Sequence, residues 1–379
     1  MNYTQYGNTK ETVSRLGFGC MRLPMELSDG KMQVDEQASI EMLRKGIELG
    51  INYFDSGYIY CNGQSERILG RALEGRRDKV KVSTKCPGQF VHKHGDYRRI
   101  LEEQLTRLNT DHLDFYHFHG INYKSFMELD KNTGWYGEAV KAKDEGLIKH
   151  ISFSFHSENF SSPMPDDMIK LIDTGYFESV LCQYNVLDQS NAKAMEYAKE
   201  KGLGVAVMGP LGGGRVSGLP KAVADELRIK VAASAELGLR FVASNPNVDI
   251  ILSGMNSMQQ LIENSAYVSN IEPLSKEEID GILKMMEENK RLSELYCTGC
   301  NYCMPCPQEV NIPYIFQMMN YYKVYGIRDF AMKGYSEIGM GWIRGKNADA
   351  CTECGACEKK CPQRLKIREQ LKECGAILK

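Results

Sequence analysis

NYFDSGYIYCNGQSERILGRALEGRRDKVKVSTK, residues 52–85, contains one full repeat of the architecture. An aromatic and apolar run (Asn52–Ser56) gives way to helical spacing (Ser65–Leu73), then to a β-branched run (Val80–Thr84). The pattern reads strand, helix, strand. It recurs in both directions along the chain. Further strands are expected at Val13–Gly19, Phe115–His119, His150–Phe155, Val180–Tyr184, Gly204–Met208 and Val248–Leu252. Helices are expected at Asp35–Leu49, Tyr97–Leu108, Gly137–Glu145, Asn191–Lys201 and Lys221–Leu237. Strand alternating with helix in this way over some ~250 residues predicts an α/β fold, a parallel (β/α)8 TIM barrel. A doubly wound sheet needs a glycine fingerprint leading into a helix after its first strand. Gly17-Phe18-Gly19 is followed instead by Arg22-Leu23-Pro24, with no helix start.

Beyond the barrel, Ser275–Arg291 turns strongly helical and charged and leads into the first of two cysteine runs. That run is Cys297-x2-Cys300-x2-Cys303-x2-Cys306-Pro307, and the second is Cys351-x2-Cys354-x2-Cys357-x3-Cys361-Pro362. Soft thiolates in fours select zinc or iron–sulfur clusters. Zinc favours separated Cys-x2-Cys pairs, whereas the second run has the bacterial ferredoxin spacing. The first run is one residue short before Cys306. The helical, Tyr- and Met-rich stretch between the runs resembles the all-helical ferredoxin-type domains. We therefore expect a barrel over residues 1–274 and a small helical ferredoxin-type iron-sulfur domain over 275–379, with one or two [4Fe-4S] clusters. By analogy with two-cluster ferredoxins, one cluster takes Cys297, Cys300, Cys303 and Cys361, and the other takes Cys351, Cys354, Cys357 and Cys306. Cys374, outside the runs, reads as a buried or spare thiol.

Composition narrows the setting. The chain is 42% hydrophobic and 25% charged, with a formal net charge of −2. Nothing in that balance calls for nucleic acid or an anionic membrane. Met1–Gly17 has no apolar core typical of a signal peptide, and no stretch stays apolar long enough to span a bilayer. Thirteen cysteines in such a chain argue for metal ligands and free thiols, hence a reducing cytoplasm.

Barrels of this kind carry their chemistry at the C-terminal ends of the strands. Asp55 ends the second strand and Tyr60 follows it, Lys85 ends the third, and His119 ends the fourth. Singly, each has a plain structural reading as a half-buried aromatic, a surface charge or a core histidine. Together on one rim they form a constellation. Over roughly Val13–Asn270 the chain resembles the aldo/keto reductases, whose Asp, Tyr, Lys and His tetrad falls on Asp55, Tyr60, Lys85 and His119. The resemblance implies reduction of an aldehyde or ketone by hydride from NADH or NADPH. Tyr60 is then the proton donor. A phenol titrates near ~10, and an adjacent ammonium held by a carboxylate lowers that value. Lys85 and Asp55 would supply this pair, and a neutral His119 would orient the carbonyl.

The same resemblance implies cofactor contacts. Ser154 and Gln183 stand where the family holds the nicotinamide carboxamide, although Phe155 replaces an expected Asn. Met208 replaces the usual stacking Tyr and is followed by Gly209, Pro210 and Leu211. The loop Gly212-Gly213-Gly214 either admits a pyrophosphate or is merely flexible. Glu263 and Asn264 match the adenine contact. Gly254 and Gln260 occupy positions where NADPH-preferring members carry Lys and Arg, so NADH is favoured. The segment Asn122–Tyr136, with Phe126, Trp135 and Tyr136, is expected to line the substrate pocket.

Clusters pass single electrons, whereas the barrel reaction moves a hydride. Three roles follow for the clusters: structural or sensory, electron donors to substrate, or a link to a redox partner such as ferredoxin. The reading adopted is a carbonyl reductase with a small-molecule substrate. The alternatives are a nicotinamide-binding redox sensor and an iron–sulfur electron-transfer oxidoreductase.

Overall fold

The computed structural model describes all residues except 29–30, 157–165, 213–228, 230–232, 295–302, 324–325, 341–342 and 362–364, and only the backbone of 27–28, 31–32 and 286–294. Eight parallel strands close into a barrel. They are Leu16–Gly19, Tyr53–Asp55, Lys81–Pro87, Leu113–His119, Ile148–Phe155, Ser179–Gln183, Gly204–Met208 and Ile250–Gly254. Each pairs with its neighbours in sequence, and the eighth closes on the first through Ile251–Leu16 and Leu252–Gly17. The expected first strand is divided. Thr12–Ser14 belongs to a hairpin with Tyr3–Gln5, and the barrel strand proper begins at Leu16. A second hairpin, Met25–Ser28 with Lys31–Val34, was not anticipated.

The first hairpin closes the barrel floor. Tyr6 is fully buried and meets Tyr53 and Phe115 edge-on at 5.9 and 5.0 Å between ring centroids. Its turn holds Gly7 at φ 53°, where a Cβ would stand 2.2 Å from the Gly204 nitrogen. Only glycine fits there.

Strand alternation sorts the side chains. On the fourth strand Phe115, His117 and His119 share the inward face, while Tyr116 and Phe118 look out to the helices. Phe118 packs at 5.2 Å on Phe126 and 4.6 Å on Trp135. Both are buried, and each such side chain contributes about 2–3 kcal/mol by leaving water. This corrects the expectation for Asn122–Tyr136. The segment forms a helix, Tyr123–Thr133, capped by Asn122, and its aromatics anchor it to the barrel's outer layer. Tyr136 stacks on Tyr176. The other helices expected around the barrel form at Glu36–Glu48, Ser65–Ala72, Asp96–Leu108, Trp135–Asp144 and Ala192–Glu200. The stretch expected at Lys221–Leu237 lies largely outside the described residues, and a helix runs over Ser234–Ala243.

The chain divides into two compact units, residues 1–213 with 238–274, and 214–237 with 275–379. The second contains helices Lys276–Glu294, Ile312–Lys323, Arg328–Ser336, Ala356–Lys360 and Ile367–Ile377. Its core gathers Val310, Ile315, Phe316, Met319, Leu371 and Leu378, with Cys374 buried among them. Among the described residues no helix is long and apolar enough to cross a membrane.

Candidate functional site

The short second strand delivers Asp55 to the barrel rim, and the third brings Lys85 beside it. Lys85 Nζ donates to Asp55 Oδ2 and to the Ser56 carbonyl, both at 2.5 Å. Ser83 Oγ donates to the other carboxylate oxygen at 2.7 Å. Both charged side chains are almost wholly buried, 1% and 3% exposed. An ion pair with no water to share it is expensive to form, so its retention at a strand end marks a site.

Tyr60 leans over this pair, with Lys85 Nζ 4.6 Å from its ring centroid. Two features of the chain aim the ring. Gly57 lacks the Cβ that would stand 3.0 Å from the Tyr60 ring. The next two residues, Cys61 and Asn62, hold left-handed backbone angles (φ 52° and 54°). Such angles cost a side-chain-bearing residue stability and cluster at functional sites. Cys61 Sγ secures the loop by reaching the Cys20 and Met21 carbonyls at 3.6 Å.

His119 meets Tyr60 edge-on, with centroids 6.0 Å apart. Burial, with Lys85 and His156 nearby, pushes its pKa down to about 3. The imidazole is therefore neutral, and its Nδ1 has no hydrogen-bond partner among the described residues. Tyr60 departs from the simple expectation. Lys85 pulls its pKa down, but burial raises it more and Asp55 adds to the rise, leaving it above the ordinary phenol value. Asp55 likewise lies above the usual carboxylate range, because burial outweighs the downward pull of Lys85.

Ser154, Gln183 and Met208, expected from the sequence to meet a nicotinamide, lie toward the C-terminal ends of the fifth, sixth and seventh strands. Ser154 is buried on the fifth strand and accepts from the Gly120 N–H at 2.8 Å, which leaves its own O–H to donate. Gln183 and Met208 are register partners on the sixth and seventh strands. Gln183 Nε2 donates to Asp188 at 3.0 Å. Gly209 has a φ of 64°, and among the described residues only the Gln183 side chain comes within 4.0 Å of its absent Cβ. Ser154 and Gln183 thus place a hydroxyl and an amide on neighbouring strands, groups that could hold a carboxamide. Leu211 follows in a turn closed by Gly212 N–H to Gly209 at 2.8 Å, and Gly213 lies outside the described residues.

Asn264 faces inward and donates to Ser253 at 3.3 Å, whereas Glu263 lies along the helix and accepts from Gln259 at 2.8 Å. Gln260 accepts from the Asn256 N–H at 3.0 Å, and its own N–H donates to the capping Ser257 hydroxyl at 3.3 Å. The Arg22 side chain runs past Gly254, 3.8 Å from where a Cβ would stand.

Two histidines escaped the sequence reading. His156 follows the fifth strand and faces Gln183 and Lys85. His117 lies two residues before His119 on the same inward face, with Nε2 3.9 Å from Asp55 Oδ1. Spacing of two from a rim residue was the available signal.

In the helical unit, Cys306, Cys351, Cys354 and Cys357 line one cavity, walled by Val310, Ile312, Leu371 and Arg368. Left-handed angles at Glu353 (56°) and Gly355 (72°) bend the second run around it. These are the four thiols grouped above by analogy, and four soft donors from two separate runs around one space suit a cubane cluster. Arg368 is held by Glu358, with Nη2 and Nε at 2.8 and 3.0 Å from one carboxylate oxygen. Cys303 and Cys361 pack half-buried against the apolar core, and Cys297 and Cys300 lie outside the described residues. Among the described residues no three His, Cys, Asp or Glu side chains, these four thiols included, stand close enough together to hold a single metal ion.

Comparison with known proteins gives the same two parts. Residues 296–365 match the 4Fe-4S dicluster domain. The chain is 28% identical over 319 residues to L-galactose dehydrogenase of Arabidopsis thaliana, covering 76% of this chain and 95% of that one. It is 28% identical over 229 residues to aldo-keto reductase YhdN of Bacillus subtilis, covering 58% and 64%. Among solved structures, the holo form of aldo-keto reductase AKR11C1 from Bacillus halodurans superposes with a TM-score of 0.61 at 25% identity, covering 75% of this chain and 96% of that one. With residues 15–287 matching the aldo/keto reductase model, the chain belongs to the aldo/keto reductase family and carries a 4Fe-4S dicluster domain after the barrel.

Proposed function

We propose that the barrel reduces an aldehyde or ketone with NAD(P)H, with Tyr60 as proton donor. The observation that carries this reading is the buried Asp55–Lys85 pair set against the Tyr60 ring. A purely sensory barrel has no use for an ionised pair aimed at a phenol. Nicotinamide, when bound, supplies the hydride. The chain supplies the rest. His119, neutral across the physiological range, presents a ring nitrogen to the carbonyl oxygen and orients it. Tyr60 gives that oxygen a proton. Lys85 stabilises the phenolate left behind, and Asp55 holds Lys85 charged and in place. The raised Tyr60 pKa keeps the phenol protonated until charge develops on the substrate.

Ser154 and Gln183 are the residues that would hold the carboxamide, with Met208 against the ring. Asn264 and Glu263 would meet the adenine. Neither Gly254 nor Gln260 offers a cation for a 2′-phosphate, which supports NADH as the preferred donor. Cys306, Cys351, Cys354 and Cys357 would hold one [4Fe-4S] cluster, and Cys297, Cys300, Cys303 and Cys361 a second. The clusters' role is taken as structural or oxygen-sensing in a cytoplasmic protein.

The test is anaerobic oxidation of NADH and NADPH across carbonyl compounds that include aldoses, because L-galactose dehydrogenase is among the relatives. Turnover by the cluster-loaded chain that collapses in Tyr60→Phe, with nicotinamide binding retained, supports the proposal. Absence of turnover despite bound nicotinamide and intact clusters would sink it.

A further inference from the structure

Glu66 is an acid only 1% exposed that the rim chemistry leaves unused. It lies in the first turn of the helix Ser65–Ala72, outside the barrel wall. Gly70, one turn further on the same face of that helix, sets how deeply it sits. A Cβ at Gly70 would stand 2.6 Å from the Leu108 carbonyl oxygen, so glycine is what lets this helix close on the helix Asp96–Leu108. A carboxylate is costly to bury, and this one is met by three donors. Thr84 Oγ1 donates to Oε1 at 2.6 Å, Gln104 Nε2 donates to the same oxygen, and Arg107 Nη1 donates to Oε2 at 3.2 Å. None of the three contacts asks the carboxyl to donate, which favours its ionised form.

Each partner leads to a residue of the tetrad. Thr84 precedes Lys85 on the third strand. Gln104 Nε2 also donates to the Lys85 carbonyl at 3.1 Å, and its Oε1 accepts from the Tyr116 hydroxyl on the fourth strand at 2.5 Å. Arg107 Nη1 donates to the Tyr58 carbonyl at 3.2 Å, and its guanidinium carbon stands 4.3 Å from the Tyr58 ring centroid. Tyr58 is two residues before Tyr60 and is held at its other end, where its hydroxyl donates to Glu103 at 2.7 Å. Ser65, beside Glu66, has its Oγ 2.8 Å from that of Ser56, the residue whose carbonyl accepts from Lys85.

We propose that Glu66 is a positioning residue that sets Lys85 against Tyr60 from outside the barrel wall. It holds the end of the third strand through Thr84 and Gln104, and the loop that carries Tyr60 through Arg107. The inference rests on the reading of Tyr60 as the acid. Glu66 touches no substrate, and no bond or proton changes at it. Its effect is geometric. Lys85 Nζ stands 4.6 Å from the Tyr60 ring centroid, and a misplacement of about 1 Å in such a constellation costs about 100-fold in rate. Releasing part of the support, with the rest intact, should cost about tenfold.

The experiment compares the cluster-loaded chain with Glu66→Gln, Arg107→Met, the double variant and Tyr60→Phe. It is run anaerobically with NADH and the carbonyl compound that turns over fastest. Glu66→Gln keeps the bulk and removes the charge. Arg107→Met, at a side chain 31% exposed, cuts the loop branch and serves where Glu66→Gln fails to fold. Assays are made well below each unfolding midpoint, measured by circular dichroism. The expected result is kcat lowered about tenfold in each single variant, with KM and the nicotinamide Kd within about twofold of the parent. The double variant should lose less than the product of the two, because both substitutions act through one contact. An unchanged kcat in the folded single variants, whatever their midpoints, would make Glu66 structural and overturn the proposal. Losses that multiply in the double variant, or KM and Kd that worsen in step with kcat, would overturn it too. Turnover lost in Tyr60→Phe but intact in Glu66→Gln defeats this proposal alone. Turnover that survives in Tyr60→Phe, or a parent with none, defeats the reading of the acid and this proposal with it.

Discussion

Replacing Lys85 by Met should reveal how much the tetrad burdens the fold. Lys85 is the only cation within reach of Asp55 among the described residues, and the pair is buried on both sides. Without it the carboxylate keeps Ser83 alone as a hydrogen-bond partner. Breaking a buried ion pair from one side costs about 3–5 kcal/mol, because a charge is left in a dry interior. Asp55 can escape part of that cost by taking up a proton. Its pKa is already raised by burial, and Lys85 is the largest influence holding it down. The lower end, about 3 kcal/mol, is therefore expected at neutral pH. For a barrel of this size that is a fall of roughly 6 °C in Tm.

The sign of the pH dependence follows. A carboxyl whose folded pKa is raised binds a proton more readily when folded, so lowering the pH favours the folded state. The deficit in Lys85→Met should shrink between pH 8 and pH 5. The double variant Asp55→Leu, Lys85→Met should recover most of the loss, since an apolar pair of similar bulk is often as stable as the ions it replaces. Anaerobic thermal unfolding followed by circular dichroism measures all three. A single variant that loses less than about 1 kcal/mol with no pH dependence would refute the reasoning. A double variant less stable than the single would do so as well.

Other outcomes can be checked independently. Because His119 titrates at about 3 and Tyr60 above its ordinary value, kcat/KM should be flat from pH 6 to pH 9. A fall should come only on the alkaline side, near or above ~10, as the acid loses its proton; a limb near pH 6.5 that disappears in His119→Asn would contradict this assignment. Cys61→Gly should relieve a left-handed residue and gain about 0.5–1 kcal/mol in denaturant unfolding. It should also lower kcat about tenfold by freeing the loop that aims Tyr60; equal activity would show that Cys61 does not aim the ring. Anaerobic iron analysis should find about eight irons per chain if both ligand sets are filled. Cys306→Ser should remove about half of them and leave Tyr60-dependent turnover intact if the clusters are structural.

Much of this was legible from strand ends. The eight barrel strands follow from short apolar runs, and the rim positions of Asp55, Lys85 and His119 from the polar residues found at or near the ends of three of them. Analogy with two-cluster ferredoxins grouped Cys306 with Cys351, Cys354 and Cys357, and these four thiols line one cavity. What escaped were properties of the closed barrel. Val13 and Leu16 look like one strand until Tyr6 folds back to seal the floor. Phe126 and Trp135 read as pocket aromatics because periodicity cannot say whether a helix's apolar face meets a ligand or the barrel wall. His117 lies inside the run Phe115–His119, two residues before the rim histidine, and nothing in the run sets it apart. Lowering of the Tyr60 pKa by Lys85 was expected from chemistry alone, but the degree of burial, which reverses the net direction, needed the structure.

The central claim is that this barrel moves a hydride to a carbonyl carbon, with the clusters outside the reaction path. Single turnover with NADH carrying deuterium at the reactive C4 position, followed by mass analysis of the alcohol, tests it most directly. The account predicts one deuterium at the carbinol carbon from the loaded protein and none formed at a measurable rate by Tyr60→Phe. Alcohol without the label, or alcohol formed from chemically reduced clusters with no nicotinamide present, would contradict it and make the clusters the source of the electrons.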